Sequence, residues 1–323
     1  MTAPEAAPTR APGGAAGRAP GAAAGRAARG PRSPWRATAA ALPWLGPALL
    51  LIFGVVIFPA GYMVWVSTRQ ISPFGVDRGG VGLRNYQRLL QFEAIGHVLT
   101  NTVAWVVGVV ALTVLISLGL AQFLDKAFPG RRLVRLAVIV PWAASVVMTS
   151  TVFVYGLDPF YGVMNKFLVD VHLLSQPFGF TQQPLTAFLV SMGVAVFVSL
   201  PFTTYTLLAG LQAIPGDVLE AAQVDGAGRA ATYRRVVLPM LRPALAVATI
   251  INIINVFNSL PILRTITGSL PGYDADTTTT LTFKFIQADR QIGTASALSV
   301  VNFALVLTVI AVYLRVVRPM RED

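Results

Sequence analysis

Six runs of about twenty or more residues carry no Asp, Glu, Lys or Arg, and nothing else in the sequence constrains the fold as strongly. They are Leu42–Ser67, Val98–Phe123, Leu136–Tyr155, Leu185–Leu211, Ala244–Leu263 and Ile292–Leu314. At about 1.5 Å of rise per residue each is long enough to cross the hydrocarbon core of a bilayer as a helix. The expectation is an all-α polytopic membrane protein with six transmembrane helices. Charged residues make up only 12% of the chain, against about a quarter in a soluble domain. The absence of cysteine excludes a disulfide framework and a Cys-based metal or redox site. His97 and His172 lie far apart, one opening an apolar run and one in a loop, and do not read as a metal cluster.

Residues 1–41 are mostly Ala, Pro, Gly and Arg without hydrophobic periodicity, and read as a disordered basic arm. The run that follows is too long for a signal-peptide core. Pro43, Pro47 and Pro59 are expected to bend or unwind it locally. The net charge of +11 suggests nucleic acid only until the charges are placed. They fall between spans, as positive charge does in loops retained in the cytoplasm. One face collects the arm, Lys126, Arg131, Arg132, Arg135, Arg229, Arg234, Arg235, Arg242 and the tail with Arg315, Arg318 and Arg321. The other has fewer: Arg69, Arg78, Arg84, Arg88, Lys166, Arg264, Lys284 and Arg290. The first face is therefore assigned to the cytoplasm, with both termini. The domain division is then an arm over 1–41, a six-helix domain over 42–317 containing a cytoplasmic loop over 212–243, and a tail over 318–323. The outer loops, 70–96, 156–184 and 264–291, either cover the mouth of a cavity or merely connect spans.

Ion-coupled carriers place ionisable groups within the membrane, and these spans have none. Carriers that use only backbone and hydroxyl oxygens remain open on this count. No Gly-rich phosphate loop with its Lys is present either; Lys126, Lys166 and Lys284 do not follow a glycine. Energy for uphill movement must come from another polypeptide, which directs attention to the cytoplasmic loop. There Glu220-Ala221-Ala222 favours helix, Gly226 permits a turn, Ala230–Val237 resumes helix, and Leu238-Pro239 should stop it. Pro243 suits the first turn of the fifth span. Physically this is either a knob for a partner's groove or an amphipathic loop lying in the headgroups.

The spacing Glu-Ala-Ala-x3-Gly-x9-(Ile/Val)-x-Leu-Pro, at Glu220, Ala221, Ala222, Gly226, Val236, Leu238 and Pro239, resembles the coupling-loop (EAA) signature of bacterial binding-protein-dependent ABC importer permeases. Asp225 and Ala227 complete the DGA common in the carbohydrate-uptake branch, which includes maltose, trehalose and glycerol-phosphate permeases. Leu211, Ile214, Pro215 and Asp217 match its LxxIPxD lead-in, VIVPW its proline-aromatic motif in span three, and FYGVMNKFL its external FGxxNxxL. Thr265–Gly272 departs from the branch's LTxGGP. The resemblance implies a type I ABC importer permease fold and a non-enzymatic transport subunit of a sugar importer in the bacterial cytoplasmic membrane. Its implied partners are a second similar permease, two ATPase subunits carrying ATP and Mg, and an external sugar-binding protein. The coupling helix would enter a cleft of the ATPase, with Glu220 near a basic group.

On span five, Asn252, Asn255 and Ser259 recur at i, i+3 and i+7 and share one helical face. Amides and hydroxyls read sugars, but they also bond helix to helix. The resemblance favours substrate contacts here and extends them to Trp142 and Ser145 on span three and Ser199 and Phe202 on span four. Phe257 and Asn258 are expected to point elsewhere, toward the partner permease. The rival reading is a stand-alone carrier or channel.

Overall fold

Residues 34–317 apart from Ser269 are described by a computed structural model. The first compact unit reaches Val56. Its helix α1 spans Pro34–Leu51, with Pro34 in the first turn and an Ala-rich stretch after it. Proline at the first turn and alanine within it both favour helix. Helix therefore begins before the expected end of the irregular arm at residue 41; the rest of that arm, and the tail 318–323, lie outside the described residues. Pro43 and Pro47 sit inside α1 without ending it. A π-helical turn follows at Ile52–Ile57. It stops two residues short of Pro59, whose ring would strike the carbonyl one turn back in a regular helix. A wider turn removes that clash.

The second unit begins at Ile57. Helix α2, Phe58–Ser67, leads to a hairpin of β1 (Arg69–Ile71) and β2 (Asp77–Gly80), paired antiparallel. Arg69 donates through Nε to Asp77 at 2.9 Å and pairs with it through Nη2. That bond holds the Asp77 carboxyl below its ordinary range. Helix α3 is Arg84–Leu90, α4 is Ile95–Asp125, α5 is Arg131–Ala143 and α6 is Val146–Gly156. A short α7, Val163–Asp170, precedes the long α8, Pro184–Gln212. Then come α9 (Gly216–Val224), α10 (Arg229–Thr232), a second π-turn (Tyr233–Val237), α11 (Leu238–Met240) and α12 (Arg242–Phe257). The chain closes with α13 (Leu260–Thr267), α14 (Thr278–Gln287) and α15 (Ile292–Val317).

Among the described residues four helical segments are long and apolar enough to cross a bilayer: Pro43–Ser67, Ile95–Asp125, Pro184–Gln212 and Ile292–Arg315. Two bent pairs bring the number to six. The third expected span is thus two helices, α5 and α6, meeting at 98°. Pro141 weakens the end of α5, and Ala144 and Ser145 are extended, with ψ near 146° and 135°. The second bent pair is Arg229–Met240 with α12, bent by 65° at Leu241. The fifth expected span has its own interruption at Asn258-Ser259, between α12 and α13. Helices α4 and α8 run parallel along the centre of this unit, Trp105 lying beside Phe188 near one end and Leu124 beside Leu207 near the other. Trp105, Val109, Phe188 and Val194 from them join Val256, Ile262 and Leu263 in the main core. A second cluster, around Leu89, Val98, Leu281, Phe285 and Leu298, closes the end where α4 and α15 begin. A third, around Leu124, Leu207 and Ala248, closes the opposite end. There Gly210 lets α8 approach α12 closely: a Cβ at that position would lie 2.6 Å from Ala244 Cβ and 3.0 Å from Leu241 Cδ2.

Candidate functional site

Breaking a helix at membrane depth leaves its last carbonyls without partners, and no water is at hand to satisfy them. At the end of α12 the Asn258 and Ser259 N–H groups reach Ile254 O and Val256 O, and side chains add to them. The Asn258 amide donates to Ile254 O at 2.9 Å, Ser259 Oγ to Asn255 O at 3.0 Å, Trp105 Nε1 to Val256 O at 2.9 Å and Thr279 Oγ1 to Phe257 O at 3.0 Å. Four polar side chains thus hold one irregular turn open.

The two interrupted spans, together with α8, line an open cavity of about 410 Å³. Its walls include Trp142 at the end of α5, Ser199 and Phe202 on α8, Asn252 and Asn255 on α12, and Ser259 in the break. Ser145 is exposed in the bend and does not line it, although the adjacent Val146 does. Asn258 does line it, contrary to the expectation that it faces away. The helical wheel fails there because the helix ends at Phe257 and the next residues turn out of register. Phe257 is a core residue, 3% exposed, rather than one turned outward.

The polar groups of this cavity have different loads. Asn252 is buried, with its amide bonded to Thr203 Oγ1 at 2.6 Å and Ala248 O at 3.1 Å, so it fastens α12 to α8. Ser259 spends its proton on the helix end. Asn255 is exposed to the cavity, and its side-chain amide enters no hydrogen bond among the described residues. With the indole of Trp142, 65% exposed, and the ring of Phe202, it offers an amide beside aromatic faces. That combination suits a neutral polyhydroxylated molecule, whose hydroxyls bond amides and whose C–H faces lie on rings.

The segment after α8 forms the second candidate region. Pro215 opens α9, and Asp217 stands in its first turn, where a negative charge is favourable. The helix ends in a Schellman arrangement. Ala227 N–H bonds Ala222 O, Gly226 N–H bonds Gln223 O, both at 3.0 Å, and Gly226 has φ +76°. The spacing of Ala222, Gly226 and Ala227 is therefore the geometry of a helix end. Ala222 is buried, while Glu220, Ala221 and Asp225 are exposed. Glu220 belongs to neither ion pair found among the described residues. Val236, Leu238 and Pro239 are half-buried. Leu238-Pro239 does not stop the helix as expected. The π-turn over Tyr233–Val237 widens the chain just ahead of Pro239, as the earlier one does ahead of Pro59, and Leu238 keeps helical angles (φ −63°, ψ −40°). The bend comes later, at Leu241, and measures 65°.

Among the described residues no three His, Cys, Asp or Glu come close enough to hold a metal ion. His97 instead contacts Asp274 O at 3.0 Å, and His172 occupies a left-handed turn (φ 59°).

The sequence pattern of the binding-protein-dependent transport system inner membrane component family matches residues 33–321. The chain is 32% identical over 276 residues to the trehalose/maltose transport system permease protein MalF of Thermococcus litoralis, covering 85% of this chain and 92% of that protein. It is 31% identical to a probable ABC transporter permease protein of Brucella suis, covering 84% and 93%. The sulfoquinovosyl glycerol transport system permease protein SmoG of Agrobacterium fabrum is 30% identical, covering 85% and 89%. In three dimensions the chain resembles a subunit in the crystal structure of a bacterial alginate ABC transporter bound to an alginate pentasaccharide-loaded periplasmic protein. There the TM-score is 0.74 at 21% identity, covering 90% of this chain and 96% of that one.

Proposed function

Because the chain belongs to the family of binding-protein-dependent transport system inner membrane components, we propose that it is the sugar-conducting permease subunit of an ATP-driven importer, with the 410 Å³ cavity as its solute site. The relatives are permease subunits rather than enzymes, and ATP hydrolysis belongs to partner ATPases. The observation that carries the reading is an Asn255 amide that enters no hydrogen bond among the described residues and shares the wall of one cavity with Trp142 and Phe202. Relatives named for trehalose, maltose and sulfoquinovosyl glycerol support a sugar or sugar derivative. The cavity volume lies in the range of about 300–1,000 Å³ usual for small-molecule sites.

Coupling runs through the segment 216–240. The bias of Lys and Arg assigns it and both termini to the cytoplasm. Glu220, Ala221, Asp225 and Gly226 form an exposed turn that enters a cleft of an ATPase subunit, with Glu220 meeting a basic group there. Val236, Leu238 and Pro239 join that turn to α12. A second permease completes the pathway, and an external binding protein delivers the solute. Closure of the ATPases then moves α12 and alternates access to the cavity.

The test is uptake by the assembled transporter in proteoliposomes with its ATPase and binding protein. Glu220→Lys is expected to abolish ATP-driven uptake while the subunit still inserts. Uptake that survives this change, or that proceeds without any ATPase, rules the reading out.

A further inference from the structure

A second open cavity, of about 590 Å³, lies on the face of α12 that carries Ile254. Asn258, at the break in the fifth span, stands in its wall as well as in that of the 410 Å³ cavity. The rest of the wall comes mainly from α14 and α15, with Phe283, Asn302 and Phe303 in it. From Ser299 to Ile310 it follows α15 for about 16 Å.

Two polar groups in this wall are left over. Thr278 Oγ1 donates to Asn302 Oδ1 at 2.7 Å, and the Thr278 N–H donates in turn to Thr102 Oγ1 at 2.9 Å. The Asn302 oxygen is thus committed to α14, and its NH2 finds no acceptor among the described residues. Asn258 is the converse: its NH2 is spent on Ile254 O, and its Oδ1 receives no donor among the described residues. The hydroxyls of Thr282 and Ser299 bond carbonyls of their own helices. A polar group left unpaired costs most where water does not reach it. A lipid chain would leave both groups unpaired, whereas a hydroxyl both donates and accepts and so answers each. Arg264 takes one face of the Phe283 ring at 4.1 Å, and the Phe303 ring is 55% exposed. An unspent amide sharing a wall with two aromatic rings repeats the arrangement of Asn255 with Trp142 and Phe202.

We propose that this second cavity takes a second ring of the solute, with Asn302 and Asn258 bonding its hydroxyls and Phe303 covering its C–H face. The inference rests on the proposed function, which assigns the first ring to the 410 Å³ cavity. It narrows the substrate class from sugars in general to those of two or more units, because only a chain of rings passes Asn258 and touches both amides.

The chain has no cysteine, so one introduced thiol reports on one position. Ser299→Cys places it in the second cavity and leaves Asn302 intact. Ser199→Cys marks the first cavity, and Leu115→Cys the exposed face of the unbroken α4. The complete transporter in nanodiscs is treated with a glucosyl methanethiosulfonate and, separately, with a butyl methanethiosulfonate. Mass spectrometry of this subunit gives each rate, which is divided by that of the same reagent with free cysteine. At position 299 the glucosyl reagent is expected to lead by about tenfold, as at position 199, while the butyl reagent leads at position 115. Adding Asn302→Ala to Ser299→Cys should remove that lead. A butyl lead at position 299 overturns the subsite and gives the cavity to lipid. Failure of both reagents there also overturns it and gives the cavity to a partner subunit. A glucosyl lead at 199 without one at 299 rejects the subsite alone. If the glucosyl reagent leads at neither, the proposed solute site falls, and the subsite with it.

Discussion

Helices α4 and α8 and the interrupted pairs α5/α6 and α12/α13 are built from similarly apolar sequence, yet they do different work. The long helices are continuous over Ile95–Asp125 and Pro184–Gln212 and pack along each other. Even Pro201 lies inside α8 without ending it. The interrupted pairs give up that continuity and gain a cavity with amides in its wall. Regular helix satisfies its backbone internally and offers a ligand only side chains. An interruption turns side chains to the repair of the backbone, and those left over become available to a solute. Asn258 and Ser259 make the repair; Asn255 is left over.

The contrast breaks most severely where the two kinds of helix are joined. Trp105 on α4 is 1% exposed and donates to Val256 O at the break. Trp105→Ala should cost about 3–5 kcal/mol of stability, mostly through lost packing, because Val256 O keeps the Ser259 N–H when the indole is gone. Thermal unfolding in detergent measures it, and Trp105→Phe should recover most of the loss. The next effect is on the solute alone. Asn255→Ala should lower sugar uptake about tenfold, equivalent to about 1.4 kcal/mol of binding, with insertion and unfolding temperature unchanged. Uptake at the normal level would show that the leftover amide is not a ligand group.

Asn252→Ala sharpens the comparison from the other side. It cuts the bond to Thr203 and should cost about 0.6–1 kcal/mol in stability, with a smaller effect on uptake than Asn255→Ala. The reverse order would exchange the roles of the two asparagines. The smallest effect is expected away from the membrane. The Asp77 carboxylate is held below its ordinary value of 3.8 by Arg69, so its stabilising effect is present above that pH and fades as pH falls through the folded value. The protection factors of the Ser72 and Val76 amides, corrected for the intrinsic pH dependence of exchange, should fall on acidification below about pH 4 while those of α4 do not.

Much of this could be read from the residues. The uncharged runs located α4, α8 and α15 within a few positions, because length and polarity alone decide those. The turn at Gly226 was visible because only a left-handed residue ends a helix that way. The two interruptions were not, since Ala144, Ser145, Asn258 and Ser259 are ordinary within an apolar run, and the carbonyl partners come from Trp105 and Thr279, far away in sequence. For the same reason the wheel that grouped Asn252, Asn255 and Ser259 missed Asn258. Leu238-Pro239 misled because a proline stops a helix only when the turn before it cannot widen.

The close approach at Gly210 has a mechanical consequence. Leu241 is fully buried against α8 there, at the 65° corner where the chain enters α12. It is a fulcrum, with the segment 216–240 on one arm and the sixteen residues of α12, about 24 Å, on the other. On the proposed reading, a displacement applied at Glu220 emerges as a swing of Asn255, and a bulkier residue at position 210 would move the pivot and change the gearing.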